Sequence, residues 1–169
     1  LKPIKPSGPS PVHHPLLPLA FLGVLLAFAL SSPSEAGAQG TPTPGLAAAQ
    51  LAAEAAEAEA LRNGWNVTIL ITDAGGVPVY VRRLDGASDR SWEFALGKAR
   101  TVVLAGMSTA DYIAGLADGT VEPVPDAVEI IGGLPLLVGD QLVGAIAVSG
   151  VPPDQDLIVA EAGAAAFRR

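Results

Sequence analysis

The segment Val67–Leu84 constrains the fold more than any other. Its two halves, VTILIT and VPVYVRRL, are dense in β-branched residues, and only Asp73-Ala74-Gly75-Gly76 separates them. So short a connection cannot carry a crossover between parallel strands, so the pair must be an antiparallel hairpin whose glycines supply positive φ. Pro78 has no N–H for a ladder, which places its strand at a sheet edge or puts the proline at the strand start. Asp73 ends the first strand where its carboxylate can accept from its own turn's N–H groups. A phosphate loop is the other use of such glycines. Here a strand rather than a helix follows, without G-x-G-x-x-G or Walker spacing.

The flanking segments have helical periods. From Leu46 to Asn63 the chain is rich in Ala, Leu and Glu, with Leu46, Ala49, Ala53, Ala56 and Ala60 recurring at three- and four-residue steps, and Gly64 supplies the stop. Residues 91–106 form a second helix with an apolar face of Trp92, Ala95, Ala99, Val102 and Val103, in which Gly97 marks a close approach. A short third helix runs from Thr109 to about Ala117. Further strands are expected near Val128–Ile131 and Leu134–Val138, then at Gln141–Ser149 after a Gly139-Asp140 turn, and a last helix spans Asp154 to Phe167. Hairpins rather than β-α-β units give an α+β sandwich, an antiparallel sheet with helices packed on it.

Ahead of this domain, Leu16–Leu30 reads LLPLAFLGVLLAFAL without a charge, preceded by Lys2 and Lys5. Fifteen residues at about 1.5 Å rise give roughly 22 Å of helix, short of a hydrocarbon core of roughly 30 Å. Ser31-Ser32-Pro33-Ser34 then breaks the run and Ala36-Gly37-Ala38 offers small residues for cleavage. Residues 1–38 are thus expected to be a cleaved signal peptide, 39–45 a flexible Pro/Gly linker and 46–169 one domain. The expected location is secreted or periplasmic, with no stable membrane span after cleavage. Of the chain's 10 basic and 17 acidic side chains, Lys2, Lys5 and Glu35 leave with the leader, so 8 basic and 16 acidic remain. That balance disfavours nucleic acid and anionic lipid surfaces as partners. No cysteine is present, so stability rests on packing alone.

Four separated motifs, ITDAGGVPVYVRRLDGAS, ALGKARTVV, IIGGLPLLVGDQLVGAIAVSG and DQDLIVAEAG, occur in the order found in one family. Together they resemble the GlcG/HbpS-like family of haem-binding and haem-degrading accessory proteins, which includes the C-terminal domain of PduO-type proteins. The resemblance covers most of residues 46–166. It implies a profilin-like fold, with a five-stranded antiparallel sheet between helices, and assembly into homo-oligomers. It also implies that some members are exported and bind haem.

Haem iron calls for His, Cys, Met or Tyr, with cations for the propionates. Both histidines, His13 and His14, lie in the leader, so the domain departs from relatives with an axial histidine. Met107, Thr109 and Tyr112 cluster after the second helix, in the segment matching the family's haem-contacting loop, and the resemblance makes Thr109 a hydroxyl ligand to iron. Tyr80 is a further candidate. Lys98 and Arg100 are available to propionates, as are Arg82, Arg83 and Arg90. Each has a plainer reading: Met107 and Tyr112 as packing residues, Lys98 snorkelling to solvent, Arg82 and Arg83 on opposite faces of a charged edge strand. Glu54, Glu57 and Glu59 read as a solvated helix face, and Asp154 and Asp156 as helix N-terminal charges. Without His or Cys no Ser–His–Asp or Cys–His nucleophile can form, and no G-x-S-x-G elbow occurs. The sequence and its resemblance therefore point to haem as a cofactor for scavenging, sensing or slow degradation, against a non-haem small-molecule binding module of the same fold without catalysis. N-terminal sequencing of protein recovered from outside the producing cell is expected to begin at Gln39; a start within residues 1–30 rules out the cleavage.

Overall fold

The chain divides into two units, Leu1–Glu35 and Ala36–Arg169. The computed structural model describes residues 42–167 and, outside that range, Gly8 alone. The signal peptide expected over 1–38 therefore lies outside the described residues. In chain order the elements are α1 (Leu46–Asn63), β1 (Thr68–Asp73), β2 (Pro78–Arg83), α2 (Asp89–Ala105), α3 (Thr109–Asp118), β3 (Gly133–Val138), β4 (Gln141–Ser149) and α4 (Pro153–Phe167). The strands form one antiparallel sheet in the order β2-β1-β4-β3.

The expected hairpin is β1–β2. Gly75 and Val77 N–H groups both donate to Asp73 Oδ1 at 2.9 Å, and Gly76 takes φ +78°, so the aspartate caps its own turn. Pro78 sits on edge strand β2, opposite Thr72, beside a register shift between Ile71 and Thr72. Part of the linker is tied to this turn: Ala74 N–H donates to the Pro42 carbonyl at 3.0 Å. The flexible arm expected over 39–45 is thus anchored at Pro42.

Alternation along the two central strands builds two cores. Ile69, Ile71, Ile146 and Val148 face α1 and α4, whereas Leu70, Ala145 and Ala147 face α2. The first core is closed by alanines, Ala49, Ala52, Ala53, Ala56 and Ala60 from α1 and Ala160 and Ala164 from α4. These small side chains let the helix backbones approach. A Cβ added at Gly163 would stand 2.8 Å from the Ala52 carbonyl and overlap the Ile146 side chain. Leu46, expected on the buried face, is 57% exposed, because the face that meets α4 is the alanine stripe.

Among the described residues the sheet has four strands, not the five expected. Val128–Ile131, expected as strand, lies outside it, with Val128 against α2. Val128 N–H donates to Thr101 Oγ1 at 2.8 Å, and the Val128 side chain fills the space left by the missing Cβ of Gly97. With the Val128 N–H and side chain committed to the helix, the start of this segment is held away from the ladder, and regular pairing begins only at Gly133.

In the sheet interior Gly144 faces Asp73, and a Cβ there would overlap the Thr72 carbonyl oxygen of the neighbouring strand. Backbone on a central strand cannot yield as a side-chain tip can. Gly144→Ala is expected to lower stability by about 1–3 kcal/mol, read as a drop in the urea midpoint at unchanged slope.

Candidate functional site

The family-like segment after α2 opens on Gly106, in the left-handed conformation at φ +70°, and passes through Met107 into α3. Ser108 caps α3: its hydroxyl accepts from Asp111 N–H at 3.0 Å and donates to Asp111 Oδ2 at 2.7 Å. The cap aims the next residues inward. Thr109 is fully buried, and its hydroxyl accepts from Gly133 N–H at 3.1 Å and leans towards the Gly133 carbonyl at 3.4 Å. It therefore docks α3 on the start of β3 and presents no open position to an iron. Tyr112 is also buried, and its hydroxyl accepts from Val124 N–H at 3.0 Å, holding the loop after α3. Met107 is half-buried, and Arg100 is exposed on α2. Of the three clustered candidates, Thr109 and Tyr112 thus serve different neighbours. Met107 alone of the three keeps a donor atom uncommitted among the described residues.

Lys98 corrects the expectation most sharply. It neither reaches solvent nor remains open to a propionate. It is 0% exposed, and its Nζ donates to Asp156 Oδ2 at 2.7 Å and to the Val148 carbonyl at 2.8 Å. Asp156, read from sequence as a helix N-terminal charge, is 1% exposed, and its other oxygen accepts from Val151 N–H at 3.2 Å. Burial pushes the Asp156 carboxyl above the usual carboxylate range against the pull of Lys98, and pushes Lys98 below the ordinary lysine range. A signal for the pair was present in the helical period. Lys98 lies three residues after Ala95 and four before Val102, both buried, and Asp156 precedes buried Val159 and Ala160 by three and four. The pairing itself joins residues 58 apart and has no local trace.

Arg82 and Arg83 also have partners. Arg82 pairs with Glu57 of α1 and its Nη2 donates to the Tyr80 hydroxyl at 3.0 Å, whereas Arg83 donates to Asp89 Oδ1 at 2.7 Å and to the Ala87 carbonyl at 2.5 Å. The two arginines do take opposite sides of the edge strand. Glu57 is accordingly a partner to the sheet rather than part of a purely solvated face. Among the described residues no group of three or more His, Asp or Glu is placed to hold a metal ion, and no helix is long and apolar enough to cross a membrane.

The family model for haem degrading protein HbpS-like matches residues 45–165. The chain belongs to the HbpS-like family. Protein GlcG of Escherichia coli K12 is 33% identical over 97 residues, which are 56% of this chain and 72% of GlcG. A double mutant of Streptomyces reticuli HbpS has a similar structure, at TM-score 0.66 and 34% identity over 72% of this chain and 84% of that one. A PduOC:haem complex aligns at TM-score 0.66 and 25% identity, covering 72% of this chain and 93% of its own. Both structures are thus similar in fold to this chain.

Removing one partner of the buried pair strands the other charge in the interior. Lys98→Met is expected to cost about 3–5 kcal/mol of unfolding free energy, and adding Asp156→Leu to recover more than half of it. A double-variant loss equal to the sum of the Lys98→Met and Asp156→Leu losses, by urea denaturation, would show that the two charges are not coupled.

Proposed function

We propose that this HbpS-like chain is an exported haem-binding accessory protein serving haem scavenging, sensing or slow degradation. The observation that carries the reading is family membership across residues 45–165, joined by the likeness to a haem-bound PduOC. Export follows from the leader over residues 1–38, with linker 39–45 and domain 46–169. The sandwich is read as a four-stranded variant of the profilin-like arrangement, working as a homo-oligomer in a secreted or periplasmic setting.

Within this reading Met107 would hold the iron. Its thioether is a known type of axial ligand and is uncommitted, whereas a Thr109 ligand requires release of the Gly133 backbone. Arg100, exposed and without an ion pair among the described residues, would meet a propionate. Tyr112 would shape the site by holding the loop at Val124. Bound haem would supply a redox-active iron. The second reading, a non-haem small-molecule module without catalysis, is favoured by the committed hydroxyls of Thr109 and Tyr112 and by the absence of histidine from residues 39–169.

Haemin titrated into the protein while the Soret band is recorded separates the two. Saturable one-to-one binding, weakened about tenfold or more by Met107→Ala and less by Arg100→Gln, is the expected result. Loss confined to Thr109→Val would move the iron to the hydroxyl. No Soret shift at micromolar haemin leaves the non-haem module.

A further inference from the structure

At the opposite end of α2 from Met107, a cleft of about 290 Å³ opens between the first turns of that helix and the end of β4. Ser88, Arg90, Ser91, Phe94, Ser149, Gly150 and Val151 line it. We propose that this cleft binds a small carboxylate with an apolar body, its charge on the Arg90 guanidinium and the Ser149 hydroxyl and its body against Phe94 and Val151. The inference does not depend on where, or whether, haem binds.

Three observations support it. Arg90 lies over the Phe94 ring, 5.1 Å from the centroid, and makes no ion pair among the described residues. The neighbouring carboxylate, Asp89, is taken by Arg83 at 2.7 Å, so Arg90 keeps its charge for a ligand. A guanidinium held over an aromatic face is a planar fork next to an apolar surface, suited to a carboxylate carrying hydrocarbon.

The second observation is Ser149. It is only 6% exposed, yet its hydroxyl has no hydrogen-bond partner among the described residues. Period-2 alternation places it on the α2 side of β4, after Ala145 and Ala147, and it lines the cleft. The hydroxyl opens into the cleft rather than into the sealed interior, where Thr72 Oγ1 is the one unpartnered side-chain atom among the described residues, so it is free to bond a ligand that enters. The Ser91 hydroxyl, by contrast, is saturated by the Ser88 carbonyl at 2.5 Å and by Thr68 Oγ1 at 2.7 Å.

The third is the positive end of α2. Ser88 stands at the N-cap, but its side chain makes no capping bond. The Ser91 N–H is taken by the Ser88 carbonyl at 3.1 Å, which leaves the Asp89 and Arg90 N–H groups of this helix of 17 residues for an incoming anion. The far wall is rigid, because Asp156 accepts from Val151 N–H at 3.2 Å and Lys98 donates to the Val148 carbonyl at 2.8 Å. The volume is at the small end of ligand sites, which limits the occupant to about the size of an aromatic acid.

The test is a titration of ¹⁵N-labelled full chain with benzoate, benzyl alcohol and zinc protoporphyrin, followed by amide chemical shifts. Benzoate is expected to give saturable shifts at Ser88–Phe94 and Ser149–Val151, with benzyl alcohol about tenfold weaker or more. Arg90→Gln should weaken benzoate about tenfold and abolish the discrimination, and Ser149→Ala should weaken it a few-fold. Both side chains are expendable to the cores, and a retained spectrum elsewhere confirms the fold. Porphyrin shifts at the same amides, displaced by benzoate, would assign the carboxylate to a propionate; benzoate shifts without porphyrin shifts would assign it to a free acid. Absence of benzoate shifts there, equal binding of benzyl alcohol, or unchanged affinity in Arg90→Gln overturns the proposal.

Discussion

The ion pair between Lys98 and Asp156 is the interaction on which the rest of the sandwich depends. It joins α2 to the start of α4 through the sheet, because Lys98 also takes the carbonyl of Val148 on β4. Two charges in the interior are expensive, and only complete hydrogen bonding makes them tolerable. The surroundings are built to that end. Gly132 runs past the pair at φ +122°, where a Cβ would lie 2.8 Å from Lys98 Nζ and 2.9 Å from Asp156 Cβ. The same carboxylate holds Val151, so the turn from β4 into α4 is set by the pair.

Around that polar centre the chain achieves its packing with small residues. Alanines on α1 and α4 and glycines at 97, 144 and 163 mark close approaches of backbone to backbone or to a branched side chain. Close packing recovers through many short contacts what large side chains would contribute in fewer, and a chain without cysteine has no covalent alternative. The cost is low tolerance: each such glycine is fixed by a neighbour that cannot move far. α2 carries this furthest, since its inward face holds Ala95, Lys98, Ala99 and Val102. That helix meets the sheet, the Val128 segment and the buried pair at once.

The segment after α2 shows how shared sequence and local chemistry diverge. Ser108 caps α3 and so turns Thr109 onto the Gly133 backbone, while Tyr112 reaches the Val124 N–H. Hydroxyls that look like ligands in a sequence are here the pins of a connection. The family is legible from four ordered motifs, but each side chain's role depends on which backbone group it meets.

The hairpin around Asp73, the glycine stop at Gly64, the edge position of Pro78 and the close contact at Gly97 were all determined by sequence, because each rests on local torsional or steric rules. The alternation that splits β1 and β4 between two cores was equally local. Tertiary structure decided the rest. It laid Val128 on α2 and left Val128–Ile131 out of the sheet, and it drew Lys98 and Asp156 together across 58 residues. It also left the Ser149 hydroxyl beside Arg90 without a partner. Hydrogen-bond partners distant in sequence leave no period to read, and whether a polar group is satisfied is fixed only when the layers close.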